Sequence, residues 1–149
     1  MTPSFDLVPI KVKNGFVVGR VYVRMVRAGI RTHYNIYDFK RKRNVMLNVF
    51  YRNSAIAIAE AYNVDSQTID HLKYMEEQYS HNYIEMTHFR YMYSKTQDES
   101  KKQVYETRFD HYQSMCIDIR DKIDQFICDP VNKFQCAEVI NNKKWKLIN

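Results

Sequence analysis

The sequence predicts an α+β fold: N-terminal antiparallel β-hairpins with a short helix, then a long antiparallel helical hairpin and a short C-terminal helix. Three observations carry this. β-branched and aromatic residues dominate Ile10 to Tyr51, punctuated by Asn14-Gly15, by Gly29 and by a basic turn. Apolar residues then recur at three- and four-residue spacing from Ile69 to Phe126, with no proline between Pro9 and Pro130. At 149 residues the chain has the size of one ordinary domain. We expect a basic β-rich head with a short helix over 1–64, an acidic helical hairpin over 65–129, and a short helix with a basic tail over 130–149, together forming one compact unit.

The first nine residues hold Pro3 and Pro9 and read as an extended arm, since proline fixes its own φ and biases its predecessor away from helix. In "IKVKNGFVVGRVYVRMV", Asn14-Gly15 supplies a turn. Treated as one alternating run, Val17, Val21, Val23 and Met25 point toward a core, while Phe16, Arg20, Tyr22 and Arg24 form a basic, aromatic face. After Gly29, "RTHYNIYDF" and "NVMLNVFY" read as a second hairpin with KRKRN as its turn. "SAIAIAEAYN" follows as a short helix capped by Asn53 or Ser54, its Ala/Ile face suited to lie on the sheet and Asn63 able to close it in left-handed geometry.

Asp65-Ser66 opens the first long helix, whose seam (Ile69, Leu72, Glu76, Tyr79, Tyr83, Met86, Arg90, Tyr93) is mixed and calls for a helical neighbour with polar groups. Thr96 to Glu99 matches a capping box. The second long helix carries Tyr105, Phe109, Tyr112, Cys116, Ile119, Ile123 and Phe126 at strict four-three spacing, a heptad seam on one face. An antiparallel hairpin is the expected arrangement; a continuous rod is the alternative, because 94–103 contains neither Gly nor Pro. Asp129-Pro130 ends this helix and starts the last short one, which runs to about Ile140.

Charge is laid out unevenly. The net is +8 over residues 1–50, −5 over 65–129 and +3 over 130–149. Lys40, Arg41, Lys42 and Arg43 sit at a hairpin tip, where they either keep an exposed turn soluble and unpaired or contact phosphate or an acidic protein. With Arg20, Tyr22, Arg24 and Trp145, which lies between Lys144 and Lys146, they are the candidate partner-binding residues; tyrosine, at 12 residues, suits interfaces as well as helix seams.

Chemistry is not indicated. His81, Glu85 and His88 share one helical face, but the second Glu-x-x-His that a di-iron bundle needs is missing from the sequence. Cys116, Cys128 and Cys136 have neither C-x-x-C spacing nor an even count, and fit reduced thiols in an intracellular setting. There is no phosphate-cradling or dinucleotide motif. We expect no enzyme, no metal, no cofactor and no small-molecule substrate. The start "MTPSFDLVPI" lacks the basic and apolar regions of a secretion signal, and no apolar run has bilayer length, so no membrane association is expected.

"YNIYDFKRKRNVMLNVFYRNSAIAIAEAYN", followed by the long Tyr-rich helix pair, resembles small structural proteins of marine tailed bacteriophages of the myovirus group, over about residues 33–127. The resemblance implies a non-catalytic virion component of the head or neck, made in the host cytoplasm. On this reading it is a capsid or neck/connector accessory protein that docks to other virion proteins and to copies of itself, with packaged DNA as a further candidate partner. The alternative is a nucleic-acid-binding accessory protein that uses its basic N-terminal half.

Overall fold

The computed structural model describes residues 6–142 together with 146 and 147. Five consecutive strands form an antiparallel meander: β1 (Ile10–Val12), β2 (Gly15–Val18), β3 (Val21–Ala28), β4 (Arg31–Asp38) and β5 (Arg43–Val49). A two-residue strand β6 (Lys146–Leu147) adds to the far edge, parallel to β1. Asn14 takes a left-handed φ of 63° in the first turn. Gly15 then runs so close to β3 that a Cβ there would lie 2.0 Å from the Val23 carbonyl oxygen.

Gly19 and Arg20 form a second tight turn, and this corrects the facing expected for the first hairpin. Val18 pairs with Val21 and Phe16 with Val23. Because the turn takes up two residues, the alternation changes phase across it, so Phe16 joins Val18, Val21 and Val23 in the core while Val17 lies opposite Tyr22 on the other face. In β5, Asn48 adopts a φ of 59° and the register against β4 shifts nearby, a bulge whose backbone amide is satisfied by the Asn35 side chain.

Helix α1 (Arg52–Asn63) is the middle layer. Every residue from Asn53 to Ala61 is buried, so it is covered on all sides by the sheet, the helical hairpin and the C-terminal segment, and not only on an Ala/Ile face. Alanines at 55, 57, 59 and 61 allow close approach, while Ile56 and Ile58, both fully covered, contribute about 2 kcal/mol each by burial. The helix has no side-chain cap of its own, contrary to the Asn53 or Ser54 expectation. Glu76, fully buried on the next helix, accepts hydrogen bonds from the Phe50 and Tyr51 amides at 3.0 and 3.3 Å instead. At the other end Asn63 is still helical, and Asp65 takes the left-handed turn with a φ of 51°.

Helices α2 (Thr68–Lys95) and α3 (Glu99–Cys128) form the antiparallel hairpin, and the continuous rod is excluded. The cap of α3 is Asp98, whose carboxylate accepts from the Ser100 and Lys101 amides, so the capping box centred on Thr96 does not form. Buried positions end at Thr87 on α2 and begin at Cys116 on α3. Beyond them the helices have mainly each other, joined by Phe89 stacked on Tyr112 at 5.9 Å and tilted against Tyr105 at 6.2 Å. Arg90 is exposed, and Glu76 is answered by backbone and Ser80 where a helical partner was expected.

After α3 the chain makes a 3-10 turn (Pro130–Asn132), and a separate helix α4 (Cys136–Asn142) replaces the single helix expected from Pro130. Glu60 of α1 accepts from the Gln135 and Cys136 amides at 2.6 and 2.8 Å. Two buried glutamates thus cap the starts of other helices and tie the layers together.

Candidate functional site

The most organised polar cluster lies at one end of the sheet, where the β2–β3 and β4–β5 turns meet the C-terminus of α1. Its centre is Asp38, whose side chain has no exposed surface. One oxygen accepts from the Lys40 and Arg41 amides, both at 3.0 Å, closing the basic turn. The other accepts from the Tyr62 hydroxyl at 2.7 Å and from Arg20 Nε at 3.4 Å. Burial alone would raise the Asp38 carboxyl, but the hydrogen bonds from Arg41, Tyr62, Lys40 and Arg20 outweigh it and hold the pKa at about 2.

Around that anion Arg20 and Arg43 are held in place. Arg20 and Arg43 both stand near the Tyr62 ring, at 5.4 and 5.8 Å from its centroid, and Arg43 Nε donates to the Tyr62 hydroxyl at 3.1 Å. Asn63 completes the frame: its amide nitrogen donates to the Val18 and Ala59 carbonyls while its oxygen accepts from the Arg20 amide. Lys40, Arg41, Lys42 and Arg43 remain exposed. Lys40 and Arg20 also border a notch of about 280 Å³ with Gly19 and Asn63. Arg20, Arg41 and Arg43 are therefore tied to one buried carboxylate directly or through Tyr62, and Lys40 and Lys42 stand on the turn it closes, with Asp6 bordering the same notch and Asp65 acting on Arg43.

The structure divides the residues expected to bind a partner. It gathers Arg20 with Lys40, Arg41, Lys42 and Arg43, whereas Tyr22 and Arg24 lie on the open face of the sheet, which α1 does not cover. Trp145 lies outside the described residues. Tyr105, Phe109, Tyr112, Cys116, Ile119, Ile123 and Phe126 run along α3, with Cys116 and Ile123 buried and the others half-buried. Asp38 and Tyr62, the residues that organise the basic end, were missed by sequence reasoning. Asp38 two residues before the turn amide it accepts from is a legible Asx-turn pattern; Tyr62, reached across 24 residues, carries no local signal.

Other polar clusters of the interior serve the fold. Asp124 accepts from the Tyr51 hydroxyl at 2.7 Å and from Asn53 Nδ2 at 3.0 Å. Burial pushes the Cys116 thiol up to about 11 and the Cys136 thiol well above its usual value, so both stay protonated at neutral pH. Among the described residues no group of three or more His, Cys, Asp or Glu side chains could hold a metal ion, and no helix is long and apolar enough to cross a membrane. No family model matches the chain, and no curated protein or solved structure is significantly similar to it.

Proposed function

We propose that the protein is a non-enzymatic structural component of a tailed-phage virion, a head or neck/connector accessory protein that docks onto neighbouring virion proteins through the basic end of its sheet. The observation that carries this reading is the frame of Arg20, Arg43, Tyr62 and Asp38, which fixes the turn that presents Lys40, Arg41 and Lys42. Docking a preshaped surface avoids the cost of ordering it on contact, and its charge selects an acidic partner. The helical hairpin, exposing Tyr91, Tyr93 and Val104 along its outer half, offers area for contacts with further copies or other virion proteins.

Mass spectrometry of purified particles from the source culture tests the proposal, with copy number measured against the major shell protein. Stoichiometric presence in particles is the expected result. Abundance in producing cells without presence in particles would overturn it.

A further inference from the structure

We infer that the open face of the sheet binds single-stranded nucleic acid, independently of whether the protein resides in a particle. The first observation is charge. Residues 10–49 carry ten lysines and arginines and a single carboxylate, Asp38, which is buried and already engaged. Among the described residues the sheet's ion pairs are those of Arg20 and Arg41 with that same Asp38; Arg24 stands on the open face by register, and Arg20, Lys40, Arg41, Lys42 and Arg43 flank it at the basic end, where the phosphates of a bound strand would meet them.

The second observation is the composition of the open face. Tyr22 and Tyr37 are direct cross-strand neighbours, as are Arg24 and Asn35 beside them. With Asn44 and Leu47 these residues line a shallow groove of about 270 Å³. The Tyr22 hydroxyl donates to the Lys13 carbonyl at 3.2 Å, which fixes the ring toward the β1–β2 turn. Two tyrosines at facing positions of neighbouring strands, an arginine beside them and amide side chains able to donate and accept form a platform for stacked bases with a phosphate contact alongside. A duplex keeps its base faces inside the stack and cannot use the tyrosines. The acidic hairpin packs on α1, on the covered side of the sheet, and meets β4 where Arg31 donates to Thr87, so it does not block the groove.

Fluorescence anisotropy of the full chain with a labelled 20-nucleotide oligo(dT), a duplex of equal length and heparin as competitor tests this. Expected is tighter binding of the single strand than of the duplex, weakening as salt is raised. Tyr22→Leu and Tyr37→Leu should each cost at least about fivefold in affinity, and Arg24→Glu should make the salt dependence shallower. Circular dichroism and melting of each variant separate loss of binding from loss of fold, and Arg24→Glu, at an exposed position, keeps the test open should a tyrosine variant misfold. Absence of binding at low salt would overturn the inference. So would equal affinity for duplex with no effect of the tyrosine substitutions, or loss of binding only on charge reversal at residues 40–43, which would place the contact at the turn. None of these outcomes bears on presence in particles.

Discussion

Asp38, Glu60 and Glu76 are all buried carboxylates, yet their environments push them in opposite directions. Burial raises Glu60 and Glu76 above the ordinary glutamate value of 4.5, and the amides they cap only partly offset it. Asp38 is held at about 2, below its ordinary 3.8. As pH falls from neutral toward 4.5, the folded chain takes up protons at the two glutamates before the unfolded chain does, so stability should rise. Between 3.8 and about 2 the unfolded chain is protonated first at Asp38, so stability should fall. Urea midpoints measured across this range check both limbs, and combining Glu60→Gln with Glu76→Gln should flatten the first. Glu76→Leu should cost about 2 kcal/mol or more, because it leaves two amides at the start of α1 without an acceptor. Gly15→Ala should cost more than about 1 kcal/mol in the same assay, since its methyl would meet the Val23 carbonyl.

At the scale of elements, the helical hairpin is anchored at one end only. Its proximal half packs on α1 through Leu72, Tyr79, Ile123 and Ile127, whereas the half beyond Thr87 and before Cys116 has no buried residue. Amide hydrogen exchange should therefore be slow over residues 72–82 and 116–127 and faster over 90–110. Phe89→Ala, which removes the ring stacked on Tyr112, should speed exchange in the outer half and leave the sheet unchanged. Much of this was legible in the chain. The heptad seam of α3 and the basic hairpin turn follow from spacing that any amphipathic pair or turn must obey. The facing of β2 was not, because Gly19-Arg20 is a two-residue turn inside what reads as one continuous strand, and a turn of that length reverses the alternation. Nor were the caps, since Glu60 and Glu76 act on helix starts 75 and 26 residues away in sequence. Long-range partners leave no periodic mark.

For the whole molecule, the layers keep unlike surfaces apart. The sheet is cationic, α1 is a buried spacer, and the hairpin, with its acidic excess, packs on α1. The four cations of the turn were readable as a group; their attachment to Arg20 through Tyr62 and Asp38 was not, because it depends on how the end of α1 meets two turns. That attachment makes the basic end a shaped surface and underlies the proposed docking. Lys40 and Lys42 contribute charge to it without a side-chain hydrogen bond or ion pair among the described residues, so Lys40→Glu with Lys42→Glu should cancel the net positive charge of the five cations and Asp38 and leave the frame standing. The most direct measurement is quantitative mass spectrometry of particles assembled with equal amounts of wild-type and doubly substituted chain. Docking through the basic end gives wild-type in excess by at least about tenfold; equal incorporation of the two, or absence of both from the particles, contradicts it.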